Sequence, residues 1–309
     1  MITPVLIDCD PGHDDAIALL LALASPELEL LGVTTVCGNQ TLEKTTANAI
    51  RVLEFAGRSD VAVAAGADRP LVRERFVASY VHGETGLDGP ALPPPRGEPV
   101  GLHASDFVAE RLEAAGEPVT LVPTGPLTNV ALFLARYPEL GDRIARIVLM
   151  GGAIAKGNVT PAAEFNIWAD PEAAHRVFAS GLDVTMIGLD VTHRALLAAG
   201  HAERLRTSGR TGTMVAELLD FYSVFHRETY GWPGSPVHDA VAVAYTFRPD
   251  LVETVHCGVR VDTGGELSRG RTYVDRWRRA TWEPNANVGV DIDAAGFIEL
   301  LLTRIASLG

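Results

Sequence analysis

The sequence predicts an α/β fold: a mostly parallel central sheet flanked by helices, in a Rossmann-like architecture. Two observations carry this. Short, continuous apolar runs occur at 5–7, 28–36, 61–65, 119–122, 144–150 and 184–189, and such runs without polar alternation belong to strands covered on both faces. Between them, the segments 14–24, 42–55, 106–115, 127–137 and 171–179 repeat apolar residues at three and four, the spacing of amphipathic helices. Strand and helix in strict alternation build βαβ units, hence a parallel sheet with helices on either side.

The composition agrees. Of 309 residues, 47% are hydrophobic and 21% charged, enough apolar side chain for a large core. No compositional break and no solenoid repeat divides the chain, so one domain over 1–309 is expected. Asp and Glu total 39 against 26 Lys and Arg, a formal charge of -13, which repels phosphate backbones and anionic lipid. Nucleic acid and membrane are therefore not expected as partners. Cys9, Cys37 and Cys257 are an odd set without CxxC spacing, pointing away from disulfides and thiolate zinc. The opening residues carry no basic segment and the apolar run 16–24 is too short to span a bilayer, so a cytoplasmic location is expected. The Gly- and Pro-rich stretch 83–99 reads as a surface connector.

In open parallel sheets ligands sit beyond the carboxyl ends of the strands, so polar residues following an apolar run carry most weight. The first run ends in Asp8-Cys9-Asp10, turns through Pro11-Gly12, and opens the next helix with Asp14-Asp15. Asp14 and Asp15 alone could be acids at a helix start, where the dipole favours them. Asp8 and Asp10 alternate on one side of a strand end and need a cation or donors to offset their repulsion. Oxygen ligands without His or Cys favour Ca²⁺ or Mg²⁺ over zinc.

This DxDPGxDD run resembles the amino-terminal signature of the inosine-uridine preferring nucleoside hydrolase family. The resemblance continues through Thr34-Thr35-Val36-Cys37-Gly38-Asn39, Val122-Pro123-Thr124-Gly125-Pro126-Leu127-Thr128-Asn129, Met150-Gly151-Gly152, Glu164-Phe165-Asn166 and His238-Asp239. It implies hydrolysis of the N-glycosidic bond of purine or pyrimidine ribonucleosides, a Ca²⁺ cofactor, and a homodimer or homotetramer. It further implies that Asp10, Asp15, Asp239 and the main-chain carbonyl of Thr124 hold the metal, that Asp10 is the base, and that Asp14 holds the ribose 2′-hydroxyl. Asn39, Met150, Asn158, Glu164, Phe165 and Asn166 fall on its sugar side. His82, Tyr222, His226 and His238 fall toward the nucleobase, with His238 as proton donor.

The residues themselves support parts of this reading. If 164–166 is extended, Glu164 and Asn166 point the same way and suit sugar hydroxyls, which donate and accept. Asp170-Pro171 reads as an N-cap followed by a first-turn proline. His238 and Asp239 are neighbours at a helix start and cannot face each other, so they are not a dyad. An unperturbed histidine titrates near neutrality, which suits His238 as an acid. Phe221, Tyr222, Phe225, Tyr230 and Trp232 crowd 221–232, as core packing or as a stacking wall for a planar base. Two alternatives remain at this level. One is a haloacid dehalogenase-type Mg²⁺ phosphohydrolase, since Asp8-Cys9-Asp10 also resembles its nucleophile strand, though no later strand end supplies the lysine. The other is a non-catalytic nucleoside- or ribose-binding protein.

Overall fold

In the computed structural model, which describes residues 2–309, the expected alternation is present. The chain runs β1 (Thr3–Cys9), α1 (His13–Leu23), β2 (Leu28–Thr35), α2 (Leu42–Phe55), β3 (Val63–Ala65), α3 (Ser79–His82), α4 (Ala104–Ala114), β4 (Val119–Pro123), α5 (Thr128–Arg136), β5 (Ile144–Met150), α6 (Phe165–Ala169), α7 (Pro171–Phe178), β6 (Val184–Ile187) and α8 (Leu189–Thr192). It continues through β7 (Leu196–Ala198), α9 (Ala199–Arg206), α10 (Arg210–Tyr230), β8 (Gly234–Pro236), α11 (His238–Phe247), β9 (Val252–Val261), β10 (Thr272–Asp275), β11 (Ala286–Ile292) and α12 (Ala294–Ala306). The six apolar runs all became strands, with ends shifted by a few residues at most.

The main sheet has nine strands in the order β10-β9-β11-β6-β5-β4-β1-β2-β3. From β3 to β6 every pairing is parallel. The chain leaves β1 outward to β2 and β3, then returns to place β4 on the other flank of β1. The connections that follow β1 and β4 therefore diverge, opening a crevice at the carboxyl ends of those two strands. β9 and β10 extend the far edge antiparallel. Sequence periodicity did not reveal these late strands, because they interleave charged or exposed positions with buried ones rather than forming a continuous apolar run.

Apolar cores lie on both faces of the sheet. Helix α1 departs from the amphipathic expectation: every residue from His13 to Ala22 is buried. It packs between the sheet and the helices α2, α10, α11 and α12, so it has no solvent face to make polar. Helix α11 is likewise buried from His238 to Thr246. The segment 83–99 is a connector, as expected, but its first part is firmly tied. Gln40 donates to the Gly83 carbonyl (2.7 Å), Asn48 to that of Thr85 (2.8 Å), and His13 Nε2 lies 2.8 Å from that of Asp88. The Asp88 carboxylate in turn accepts from the backbone of Glu84 and Thr85.

Gly32 on β2 lets helix α4 approach the sheet closely. A Cβ there would lie 2.5 Å from the Phe107 ring of α4, and Phe107 is fully buried. Gly32→Ala is expected to destabilise the fold by about 1–3 kcal/mol through overpacking, read as a lower thermal midpoint. Adding Phe107→Leu should recover part of the loss; an unchanged midpoint in Gly32→Ala would show that α4 yields freely.

Candidate active site

The strand-to-helix corner after β1 buries four carboxylates, Asp8, Asp10, Asp14 and Asp15. Asp8 faces sideways into the sheet. Its Oδ1 accepts from Thr34 on β2 (2.6 Å) and from the Asn129 amide at the start of α5 (2.7 Å), so it links the strand ends that frame the crevice. Asp10 is fully buried. One of its oxygens accepts from the Asn39 backbone N–H at 2.6 Å, and Gly125 leaves it room, since a Cβ there would lie 2.6 Å from Asp10 Oδ1. Asp15 is the most heavily bonded, accepting from Gly12 N–H (3.1 Å), the Asn39 amide (3.0 Å) and the Thr124 hydroxyl (2.9 Å).

Asp239 joins them from the first turn of α11. Carboxylate oxygens of Asp14, Asp15 and Asp239 lie within 4.8 Å of one another, and the positive ends of α1 and α11 meet there. Asp10, expected among the metal ligands, is not part of this trio, though its backbone N–H donates to Asp15 at 3.4 Å. Burial and mutual repulsion hold these acids above the ordinary carboxylate range: Asp14 is pushed up to about 8, and Asp10 and Asp239 well up. Asp8 rises to about 7, chiefly by burial. Among the described residues, Asp8 Oδ2, Asp10 Oδ1 and Asp14 Oδ1 are buried without a hydrogen-bond partner, a costly state unless a cation offsets it. The donor set is all oxygen, so the residues fit a hard divalent ion.

Opposite, the loop after β5 folds differently from the sequence expectation. Residues 164–166 are not extended. Glu164 is the N-cap of α6, and its carboxylate accepts from the backbone N–H groups of Asn166 (2.9 Å), Ile167 (3.2 Å) and Gly152 (2.9 Å). A buried acceptor for three orphan N–H groups is worth more than an extended pair facing solvent. Asn166 donates to the carbonyls of Thr124 (2.6 Å) and Met150 (3.1 Å), aligning the ends of β4 and β5. The side-chain amide oxygen of Asn158 accepts from Phe165 N–H at 2.9 Å. Asp170 caps α7 ahead of Pro171 as expected, accepting from Ala173 N–H at 3.0 Å.

The third wall is aromatic and histidine-rich. His82 is not an exposed loop residue: it ends α3, is buried, and its Nδ1 lies 3.2 Å from that of His13. The His13 ring stacks against Phe221 and Tyr222. His226 stacks over Trp232 with 9° between the planes, and its Nδ1 lies 3.0 Å from the Tyr222 carbonyl. His238 lines the cleft but does not titrate near neutrality as the sequence reading supposed. Burial, with the neighbouring histidines, pushes it well below the usual value, so at neutral pH it is an uncharged imidazole.

Asp14, Asn39, His82, Thr124, Met150, Asn158, Glu164, Phe165, Asn166, Tyr222, His226, His238 and Asp239 all line a single cleft enclosing roughly 640 Å³, its open mouth included. Asp10 and Asp15, expected in the site, are not among the lining residues; both are buried and bonded to Asn39, which is. Sequence reasoning missed Tyr80 and His193, which also line it. His193 follows the β6 strand end, so the strand-end rule could have found it; Tyr80 follows no recognisable signal.

Comparison with known proteins agrees with this architecture. The inosine-uridine preferring nucleoside hydrolase family matches residues 5–299. The chain belongs to that family. Among its relatives, the pyrimidine-specific ribonucleoside hydrolase RihA of Citrobacter koseri is 53% identical over 308 residues, covering 99% of each chain. RihA of Escherichia coli O8 is 52% identical over 307 residues, again 99% of each. The purine-preferring ribonucleoside hydrolase from Gardnerella vaginalis superposes with a TM-score of 0.93 at 35% identity, over 99% of both chains. A plant nucleoside hydrolase gives 0.94 at 33% identity, over 99% of this chain and 100% of its own. The protein is thus a ribonucleoside hydrolase, an enzyme that cleaves the N-glycosidic bond, and the phosphohydrolase and non-catalytic alternatives are not favoured. No described helix of this nucleoside hydrolase is long and apolar enough to cross a membrane.

Glu164 offers a direct test of the loop geometry. Burial raises its carboxyl from 4.5 to about 7, so the folded state holds a proton that the unfolded chain releases. This contribution to stability is fully present below pH 4.5 and lost as pH rises toward 7. Glu164→Gln places an amide N–H₂ among three N–H donors, so its thermal midpoint should fall. The stability difference between wild type and variant should shrink from pH 4.5 to 7. A constant difference across that window would refute the assignment.

Proposed function

We propose that this nucleoside hydrolase acts on pyrimidine ribonucleosides, releasing the free base and ribose, with Ca²⁺ as cofactor. One observation carries the reading. A single cleft sets an oxygen-only acid cluster against a wall of neutral imidazoles and aromatic rings, one side suited to a cation and a sugar and the other to a planar base. The base preference is supported by end-to-end identity above 50% with relatives named pyrimidine-specific.

Asp10, Asp15, Asp239 and the Thr124 carbonyl would hold the ion. Bound there, calcium supplies a positioned, more acidic water and a fixed point for the ribose diol. Asp10 then accepts the water proton, through the oxygen that has no hydrogen-bond partner of its own. Asp14 takes the 2′-hydroxyl with its similarly unpartnered oxygen. Asn39, Asn158 and Asn166 present amides to the remaining hydroxyls, and Met150, Glu164 and Phe165 complete the sugar pocket.

The anomeric carbon becomes oxocarbenium-like as the base leaves, and the two sides of the cleft then do opposite work. The acids stabilise the positive sugar, while uncharged donors stabilise the negative base without repelling the sugar. His238 donates to the departing base; His82, Tyr222 and His226 surround it. The His226 Nδ1 proton goes to the Tyr222 carbonyl, since a carbonyl only accepts, so its Nε2 is an acceptor for a base N–H.

Ribose release from uridine, cytidine, inosine and adenosine, measured with and without a chelator, checks the proposal. The pyrimidine nucleosides should lead in kcat/KM by tenfold or more (about 1.4 kcal/mol of transition-state discrimination). Chelation should abolish turnover and Ca²⁺ restore it. Equal turnover of inosine would overturn the base preference, and full activity in chelator would overturn the metal. Separately, Asp10→Asn should lower kcat by about 10²–10⁴-fold without lowering the thermal midpoint of the metal-free protein, since it removes one buried like charge; near-normal turnover would remove Asp10 as the base.

A further inference from the structure

Thr192 is not among the residues lining the cleft, yet among the described residues it is the one hydrogen-bond partner of the His238 ring. Its hydroxyl lies 2.7 Å from His238 Nδ1. Thr192 is fully buried, and among the described residues its hydroxyl has no acceptor other than that nitrogen. A buried hydroxyl gives up its hydrogen-bonding proton only at a cost, so the proton of Thr192 points at Nδ1. An imidazole nitrogen that accepts is unprotonated, and a neutral ring must then carry its proton on Nε2.

We infer that Thr192 is a positioning residue for glycosidic cleavage: it fixes His238 in the tautomer whose Nε2–H is presented to the leaving nucleobase. The inference rests on the proposed placement of His238 beside the base. Three features of the fold point to it. Thr192 ends α8, directly after β6, while His238 opens α11, and 46 residues separate them. The small two-stranded sheet pins these distant segments together, with Leu196 opposite Pro236 and Ala198 opposite Gly234. The Val237 N–H then donates to the Ala195 carbonyl at 3.2 Å, continuing the pairing up to His238 itself. This short sheet, separate from the main one, sits where it sets the distance between the threonine and the imidazole.

The hydroxyl also explains how a neutral histidine can be a reliable donor. Without a partner on Nδ1, the proton is free to sit on either ring nitrogen and the ring is free to turn. With Thr192 donating, Nδ1 is committed to the interior and Nε2 alone remains for the cleft. As the base departs, Nε2–H is already aimed at the atom that gains negative charge, which is the pre-organisation that makes a donor effective.

Two measurements test this. In the wild-type enzyme, ¹⁵N chemical shifts of labelled histidine, assigned with the His238→Ala variant, should show His238 protonated on Nε2 and bare on Nδ1. A proton on Nδ1 would overturn the inference, and needs no variant of Thr192. In kinetics, Thr192→Val keeps the shape and removes the hydroxyl. It should lower kcat for uridine about tenfold, within the range of a misaligned proton donor, with KM little changed, and Thr192→Ser should restore most of the rate. On 4-nitrophenyl riboside, whose leaving group departs as a stable anion without a proton, Thr192→Val should turn over like wild type. Equal loss on both substrates would mean a merely structural role and would sink the inference. His238→Ala separates the two levels: if it too lost activity equally on both substrates, the placement of His238 would be wrong. If His238→Ala were selective and Thr192→Val were not, only the role of Thr192 would fail.

Discussion

The rest of the structure depends on the burial of like charges at one point of the sheet. Asp14, Asp15 and Asp239 are shut away from water with carboxylate oxygens within 4.8 Å of one another, and Asp10 is buried beside them, repelled by Asp15 and Asp14. Taken alone, such a cluster opposes folding, because desolvation and repulsion both penalise the charged forms. The fold supports it in two ways. Two buried helices, α1 and α11, bring their positive ends to the cluster, and the backbone of Gly12, the backbone and amide of Asn39 and the hydroxyl of Thr124 donate to part of the carboxylate oxygens. What remains uncompensated are single oxygens on Asp8, Asp10 and Asp14. A site left with that residue of negative charge is built for a cation.

This arrangement accounts for the rigidity around it. Asp8, Asn129 and Thr34 hold β1, β2 and α5 in register at the crevice, while Asn166 ties β4 to β5 and Glu164 gathers the backbone of the loop that follows. Many polar residues of the cleft therefore bond to protein as well as facing the cavity. They position the acids and the carbonyl of Thr124, and under the proposed function their remaining capacity would go to the sugar. Across the cleft the polarity reverses: burial lowers the basicity of the histidines, so in the proposed reaction they would face the departing base without adding positive charge beside an electron-poor sugar.

Much of this was legible along the chain. The acidic run after the first strand, the polar residues after the second, fourth and fifth, and the His-Asp pair at the start of a buried helix are local features. Each follows an apolar run, and the strand-end rule picks them out. Other features were not local. Glu164 reads equally as an extended residue or a cap, and only the meeting of its carboxylate with Gly152 N–H decides between them. The depressed basicity of His238 is a property of surroundings drawn from α8, α10 and α3, so its near-neutral expectation could not hold once those elements packed over it. Strands β9 to β11 escaped notice because half-exposed antiparallel strands lack an apolar run.

By itself, then, the sequence determined the α/β class, the parallel sheet, the family resemblance and nearly every residue that lines the cleft, because those rest on patterns within a few residues of one another. Tertiary structure decided which acids converge, which oxygens are left without partners, which histidines are neutral and which hydroxyl meets His238. Those depend on burial and on contacts between segments dozens of residues apart, where the strand order places β4 beside β1 and a short second sheet places Thr192 beside His238. Burial sets the charge of an ionisable group and long-range packing sets its partner, and neither quantity exists until the chain has folded.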